Sequence, residues 1–322
     1  MTPQPAVLSQ APVVAHVVRS GFVESVHHGS VLALDADGTR VLDVGDTTGP
    51  IFPRSSNKPI QALAMLRAGL DLDGELLALA CASHSGEPFH LEGVRRILAG
   101  AGLDEIALQN TPDLPYDEQE RRAWLADGRG PTSLAQNCSG KHAGMLATCV
   151  AAGWDLKTYR DPDHPLQRLT AQTLADLAGE PVAATAVDGC GAPVMAVSLT
   201  GLARAFGRIA SAPQGTLEHR VSAAIQANPQ WLGGTRRDVT ALIRGVPGLI
   251  AKDGAEAVYS AGLADGSALA IKIADGSQRA RPVVMAAALR RMGVDAPVLD
   301  ELADAPVLGH GEPVGAVVAQ GI

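Results

Sequence analysis

The sequence contains 322 residues, enough for one large domain or two small ones, and 46% of them are hydrophobic. Its 26 basic and 34 acidic residues give a formal net charge of -8, the wrong sign for a surface that neutralises nucleic-acid phosphates. No apolar run approaches the length of a bilayer span, and the N-terminus lacks a positive segment before an apolar stretch. We therefore expect a cytoplasmic protein that binds neither nucleic acid nor membranes.

Both ends of the chain predict strands, whereas the middle predicts helices. Near the start, VLALDADGTRVLDV alternates apolar and polar residues around Asp37-Gly38, which is typical of a hairpin. Helical spacing follows RSSNKP and recurs through the middle, and short β-type runs return in GLIAKDG, AEAVYSAGLADG, SALAIKIADG and EPVGAVVAQ. This order predicts an α+β fold in which strands from both termini form one antiparallel sheet beside a helical region. Because no linker composition interrupts the chain, we expect residues 1–322 to form a single domain.

The stretch RSSNKP combines a candidate nucleophile with a candidate base. Ser55 and Lys58 stand three residues apart, so on a helix the lysine amine can reach the serine hydroxyl. Lysine accepts a hydroxyl proton only where burial or nearby cations lower its pKa. Pro59 restricts this stretch to the start of a helix, where the helix dipole favours negative charge on Ser55. The alternative interpretation is a plain helix start, with Ser56 as the expected N-cap.

Two further stretches carry polar groups that could act with this pair. In CASHSGE, an apolar run ends at Ser83 and His84, which could relay a proton or bind a polar substrate, or simply form a turn. Lys252, in AKDG, ends a strand-like run before Gly254, a residue that lets another backbone or a ligand come close. Lys272, in LAIKIADG, lies on a similar strand pattern, and spacing alone does not separate the two lysines.

Four widely spaced cysteines are too few to cross-link a chain of this length, so free thiols or metal ligands are expected rather than disulfides. AQNCSGKHAGML places Cys138 and Lys141 at the start of a predicted helix, an environment that favours thiolate. This cluster has no standard zinc spacing, and its partner in the fold could be Cys190, between glycines in DGCGAP. The other two cysteines lie in apolar runs and are expected to be buried: Cys81 and Cys149.

The order of the Ser-x-x-Lys, Ser-His-Ser and Lys-Asp-Gly motifs parallels, with alterations, the motif order of penicillin-binding proteins and class A β-lactamases. The complete set, RSSNKP, SHSGE, NCSGKHAGML, DGCGAP and KDGAEAV, resembles the asparaginase II family of the Rhizobium type across about residues 54–276. The resemblance implies a serine β-lactamase/glutaminase-like fold, hydrolysis of L-asparagine to L-aspartate and ammonia, and a homodimer.

The resemblance also implies roles for individual residues. It implies two catalytic Ser–Lys pairs: Ser55 with Lys58, and Ser83 with Lys252, with Lys272 as the alternative second lysine. It implies a zinc ion held by two cysteines and one lysine: Cys138, Lys141 and Cys190. Such a lysine must bind zinc as the neutral amine, so the site has to lower its pKa strongly. Four residues are expected to bind substrate: Arg54, His84, Asn137 and Asp188.

Three other functions fit parts of the same pattern. In a zinc-dependent amide hydrolase, metal-bound water would attack while the serines only position the substrate. A penicillin-recognising serine hydrolase would be acylated by a β-lactam. A non-catalytic amide-binding protein would retain the motifs without turnover. Ammonia release from L-asparagine that is absent in Ser55→Ala and Lys58→Ala would eliminate the last of these.

Overall fold

An eight-stranded antiparallel sheet runs through the computed structural model, which describes residues 10–322. Its strands come from the two ends of the chain: β1 (Val13–Arg19), β2 (Phe22–Leu34), β3 (Arg40–Val44), β7 (Ile250–Asp253), β8 (Val258–Gly262), β9 (Ala268–Ile273), β10 (Pro306–Gly309) and β11 (Glu312–Ala319). The strand order is β10-β11-β1-β2-β9-β8-β7, and β3 also pairs with β2. The predicted α+β class, with one sheet completed by both termini, is confirmed.

The long strand β2 joins two differently exposed halves of this sheet. Its first half pairs with β1 and keeps several side chains in solvent, whereas residues 29–34 pair with β9 and are all buried. The predicted hairpin between β2 and β3 is present, and Gly38 at its turn has a φ of +81°, which glycine adopts without strain. The buried half of β2 therefore belongs to the core, and the other half forms part of the surface.

Twelve helices accompany the sheet in residues 10–322: α1 (Lys58–Arg67), α2 (Gly74–Ala80), α3 (Pro88–Gly100), α4 (Glu118–Ala126), α5 (Ser139–Ala152), α6 (Pro165–Ala178), α7 (Leu199–Ala210), α8 (Leu217–Ala227), α9 (Pro229–Leu232), α10 (Asp238–Gly245), α11 (Arg281–Arg291) and α12 (Val298–Ala303). The middle of the chain is not purely helical, because a second sheet of order β4-β6-β5 lies there: β4 (Pro50–Ile51), β5 (Ala184–Val187) and β6 (Pro193–Ser198). Strand β6 is buried along its whole length, so its sequence shows no period-2 alternation.

Helices α7 and α11 both pack on the central strand β9, whose six residues are all buried. Helix α7 also packs on the neighbouring strand β8, where a Cβ at Gly262 would overlap the carbonyl oxygen of Phe206. Within residues 10–322, no helix has both the length and the apolar composition needed to cross a bilayer.

Candidate active site

A cleft of about 60 Å³ lies where the turn before α1, the segment after α2, the start of α5 and the end of β7 meet. Both predicted serines, one predicted substrate-binding residue and the glycine of the KDG motif line it, together with four residues that were not predicted to act there: Ser55, Ser83, Asn137, Gly254, Tyr116, Arg237, Asp253 and Ala255. Residues that lie up to about 200 positions apart in the sequence thus share one wall, which makes this cleft the candidate active site.

Gly254 brings the end of β7 against the segment that carries Ser55. A Cβ at Gly254 would lie 2.8 Å from the carbonyl oxygen of Pro53 and 3.1 Å from the amide nitrogen of Ser56. The expected close backbone approach at this glycine is therefore confirmed, and the approaching group is the 3-10 turn Arg54–Asn57.

Ser55 lies in that 3-10 turn, immediately before α1. The preceding residue, Arg54, has a φ of +54°, a conformation that costs energy for a non-glycine residue and is often found at functional sites. The Ser56 hydroxyl donates to the Pro53 carbonyl at 2.7 Å, and the N-cap position of α1 is occupied by Asn57. The prediction that Ser56 caps the helix is therefore wrong, because its hydroxyl points back into the turn.

Lys58 is buried, and its amine contacts three acceptors. Nζ lies 2.6 Å from the Ala82 carbonyl oxygen, 3.0 Å from Ser83 Oγ and 3.0 Å from Cys138 Sγ. In residues 10–322, no hydrogen bond joins Lys58 to Ser55, the partner expected from their spacing. The reason is that residues 54–57 form a 3-10 turn rather than a turn of α1, and the lysine side chain instead reaches the segment that follows α2.

Lys252 is the second fully buried lysine beside the cleft. Its Nζ donates to the carbonyl oxygen and to Oδ1 of Asp253, both at 2.7 Å, and makes no hydrogen bond to Ser83 within the described residues. Burial lowers the pKa of Lys252 to about 8, and the positive charge of Lys58 acts in the same direction while Asp253 opposes it. Two acceptors satisfy a neutral amine, which has two N–H donors and leaves its lone pair free.

Lys272, the alternative second lysine, lies away from the cleft. Its Nζ donates to the carbonyl oxygens of Glu256 at 2.5 Å and Ile273 at 2.8 Å. These bonds hold a turn in which Glu256 and Ala257 have φ values of +56° and +51°. The geometry therefore favours Lys252 over Lys272 as a participant in the cleft.

Arg237 and Asp253 form a buried ion pair in the cleft wall that the sequence interpretation missed. Arg237 Nη2 lies 2.5 Å from Asp253 Oδ2, and the guanidinium lies 4.6 Å from the centre of the Tyr116 ring. Burial alone would raise the pKa of Asp253, but Lys252, Arg237 and Arg281 together hold it well below its usual range. Asp253 follows the lysine of the KDG motif, so its place in that motif could have identified it. Nothing in the sequence near Arg237 distinguishes it from a surface arginine.

The remainder of the SHSGE motif anchors the loop that carries Arg237. Ser85 Oγ donates to the Gly233 carbonyl at 2.9 Å. The carboxylate of Glu87 accepts from the amide and the hydroxyl of Thr235, each at 2.8 Å. The motif thus places Ser83 in the cleft and fixes residues 233–237 beside it.

His84 does not reach the cleft. Its ring is fully buried, stacks on His90 and lies with Nε2 2.8 Å from Ser139 Oγ. Burial holds its pKa well below the usual range, so the ring is neutral. The structure therefore gives His84 a packing contact with the start of α5 instead of a position against a ligand.

A cluster of sulfur and charged groups lies on the other side of Lys58. Cys138 Sγ lies 3.1 Å from Asn137 Oδ1, and Lys141 Nζ lies 3.2 Å from Cys190 Sγ. The neighbouring Cys138 thiol and the Lys141 charge hold the pKa of Cys190 well below its usual range. The neighbouring Cys190 sulfur and burial raise the pKa of Cys138 to about 12. Next to this cluster Arg54 Nε donates to Asp188 Oδ1 at 2.7 Å, and neither of these two residues lines the cleft.

The three predicted zinc ligands are thus neighbours, although they are distant in sequence. Two thiols and an amine are donors suited to zinc. Within residues 10–322, no group of three or more His, Cys, Asp or Glu side chains could hold a metal ion. All four cysteines are free, and the predicted burial of Cys81 and Cys149 is confirmed.

Comparison with protein families matches residues 15–319 to the family described as L-asparaginase II. A comparison with curated proteins found no significant match. Among solved structures, a β-lactamase from Mycobacterium bovis is similar at 13% identity and a TM-score of 0.46, over 89% of this chain and 98% of that one. A Bacillus glutaminase is similar at 12% identity and a TM-score of 0.36, over 76% and 83% of the two chains.

EstCE1, a hydrolase with promiscuous acyltransferase activity, is also similar, at 12% identity and a TM-score of 0.40, over 92% of this chain and 95% of that one. The TM-scores of these three structures lie below 0.5, so they carry no functional conclusion for this chain.

Proposed function

We propose that this chain, which belongs to the L-asparaginase II family of amidohydrolases, hydrolyses the side-chain amide of L-asparagine to L-aspartate and ammonia with a serine nucleophile. One observation carries the proposal: Ser55 and Ser83 line one cleft, and Lys58 Nζ lies 3.0 Å from Ser83 Oγ. A hydroxyl needs an adjacent group that exchanges protons before it can take part in amide hydrolysis, and Lys58 supplies one for Ser83.

Ser55 is the nucleophile in this scheme. Its side chain is partly exposed and, within residues 10–322, makes no hydrogen bond that would compete with a substrate. It also precedes the N-terminus of α1, where the helix dipole stabilises negative charge on the attacking oxygen. Ser83, by contrast, is buried and bonded to Lys58, which suits a residue that passes protons.

The two lysines divide the proton transfers. Lys252, with its lowered pKa and two acceptors, takes the proton of the Ser55 hydroxyl once the bound substrate has brought the amine and the hydroxyl together. Ser55 Oγ then forms a bond to the amide carbon. Lys58, with three acceptors, is the cation that returns a proton through Ser83 to the leaving nitrogen. The carbon–nitrogen bond breaks and ammonia departs. Water then attacks the ester carbon and gives a proton back to Lys58 through Ser83, while Lys252 returns its proton to the Ser55 oxygen as the ester bond breaks and L-aspartate is released.

We also propose a zinc ion at the sulfur cluster, held by Cys138, Lys141 and Cys190. Their proximity and the thiolate character of Cys190 support this donor set, whereas the raised pKa of Lys141 means that binding must displace a proton. Bound there, zinc would supply positive charge that fixes the wall behind Lys58. A homodimer and a cytoplasmic location stay predictions.

Ammonia release from L-asparagine by the purified protein, with zinc supplied and L-glutamine as the comparison, tests the proposal. We expect turnover of L-asparagine that is lost in Ser55→Ala and in Lys58→Ala while both variants keep the wild-type melting behaviour. Hydrolysis of neither amide by the wild-type protein would contradict the proposed function.

Two rival chemistries give different results in the same assay. If metal-bound water attacks, chelation abolishes kcat in protein that stays folded, whereas the serine scheme predicts mainly a change in KM. If the protein is a penicillin-recognising hydrolase, a β-lactam adds its mass to Ser55. We expect no such adduct, because the second and third motifs differ from those of that group.

A further inference from the structure

Arg237 lines the cleft but has no role in the hydrolysis described above. Its side chain is 11% exposed, and it donates to Asp253 Oδ2 at 2.5 Å and to the Ser83 carbonyl oxygen at 3.4 Å. A guanidinium has five N–H donors, so these two contacts leave several donors without an acceptor among residues 10–322. A partly satisfied arginine in a cleft wall is suited to a planar anion that accepts two hydrogen bonds.

The basic groups around Arg237 outnumber the carboxylates. Asp253 accepts from Lys252 through Oδ1 at 2.7 Å, and from Arg237 and Arg281 through Oδ2 at 2.5 and 3.4 Å. Asp238, the other carboxylate, is occupied by a two-point contact with Arg281 at 2.9 and 3.0 Å. Three buried basic side chains therefore share two carboxylates, and both oxygens of Asp253 are already used.

Lys58 adds a fourth basic group to the same wall, since its charge acts on Lys252. Buried positive charge without a matching anion is unfavourable, and a bound anion would offset it. Arg54 is a poorer candidate for this anion, because it is paired with Asp188 at 2.7 Å, has Glu256 at 3.9 Å and does not line the cleft.

We propose that Arg237 binds the α-carboxylate of the substrate and makes the enzyme select amides that carry a free carboxylate. The proposal rests on the proposed hydrolysis of L-asparagine and names a substrate-binding group for it. Asp253 acts as a positioning residue, because its contact at 2.5 Å fixes the guanidinium beside Ser83. Tyr116, whose ring centre lies 4.6 Å from the guanidinium, limits its movement on the outer side.

The test compares L-asparagine with 3-aminopropanamide, which has the same amide and amine but lacks the carboxylate. In Arg237→Gln, we expect kcat/KM for L-asparagine to fall about 100-fold, mainly through KM, because a charge-assisted contact in a buried wall is lost. For 3-aminopropanamide the same variant should change kcat/KM by less than about threefold, because that amide has no carboxylate to lose. Arg237→Lys keeps the positive charge but lacks the paired N–H donors of the guanidinium, so it should retain part of the preference for L-asparagine over 3-aminopropanamide.

Arg236→Gln is the matched control. Arg236 anchors the same loop through Asp117 and Glu120 at 2.7 and 2.8 Å but does not line the cleft. Any effect of this control through the loop must fall equally on both amides. An equal loss with both amides in Arg237→Gln would contradict the proposal, as would loss of the preference in Arg54→Gln but not in Arg237→Gln.

Calorimetric titration with L-aspartate separates this proposal from the proposed function. Absence of ammonia release from any amide by the wild-type protein contradicts the proposed function. Binding alone then decides whether Arg237 holds the carboxylate. Binding of L-aspartate to the wild-type protein that is far weaker in Arg237→Gln supports this role. Equal binding to the two proteins, or none to the wild type, overturns it.

Discussion

Lys58 lies between two clusters that are built in different ways. On one side, the cleft presents hydroxyl, amide and guanidinium groups whose hydrogen-bonding capacity is partly unused. On the other side, the sulfur cluster is buried, and Lys141 Nζ donates to Cys190 Sγ at 3.2 Å. The contrast teaches that the groups open to a small polar ligand lie on the serine side, and that Lys58 is the group through which each side can influence the other.

Replacing the shared lysine should have the largest effect on this comparison. Lys58→Met removes the donor to both Ser83 and Cys138, so we expect kcat for L-asparagine to fall about 10³- to 10⁴-fold. The exposed Lys157 provides the matched control Lys157→Met, which should leave kcat unchanged. Activity within about tenfold of the wild type in Lys58→Met would contradict a proton-transfer role.

Lys252 should set the pH dependence of the serine side. A base works only when neutral, so with a pKa of about 8 the value of kcat/KM should rise as the pH increases towards 8 and level off above it. Lys252→Arg should lower kcat/KM about 10²- to 10³-fold and remove this rise, because arginine stays protonated. A profile of Lys252→Arg with the same rise as the wild type would assign the titrating group elsewhere.

The sulfur side should respond through metal content. We expect Cys190→Ser to lose bound zinc, measured by elemental analysis, and to lower kcat/KM by about tenfold because the wall behind Lys58 is loosened. Cys149→Ser, which alters a buried thiol outside the cluster, is the control and should keep its zinc. Zinc bound equally by wild type and Cys190→Ser would refute the proposed ligand set.

Crowding the junction of β7 and the Ser55 turn should have the smallest effect. Gly254→Ala places a methyl group 2.8 Å from the Pro53 carbonyl oxygen, so we expect about 1–3 kcal/mol of lost stability in urea unfolding and a reduced kcat. Gly130→Ala adds a methyl group in open space and should change neither quantity. If both variants unfold alike, the close approach at Gly254 does not position the turn.

The motif order and strand pattern predicted much of this arrangement. The hairpin at Asp37-Gly38 and the terminal strands follow from local alternation, and Ser55 and Ser83 were identified by their motifs. The pairing of Lys58 with Ser83 was not predictable from spacing, because it depends on a 3-10 turn that directs the lysine towards the segment after α2. Arg237 was missed for a similar reason, since only the tertiary fold carries its loop to the cleft.

Two motif residues predicted to have other roles share one property: neighbouring groups in the fold already supply their hydrogen-bond partners. Ser56 bonds within its own turn, and His84 bonds Ser139 in the core. Polar residues in a motif therefore divide into those that hold the motif together and those that face the ligand. Only burial and hydrogen-bond partners separate the two groups, and neither is encoded in spacing.

Identification of the acylated residue tests the central claim most directly. Wild-type protein turning over L-asparagine is quenched in acid, digested and examined by mass spectrometry, with Ser55→Ala and Ser56→Ala treated in parallel. The account predicts an aspartyl ester on the peptide that contains Ser55 in the wild type and in Ser56→Ala, and none in Ser55→Ala. An ester on Ser83, or full turnover by Ser55→Ala, would contradict it.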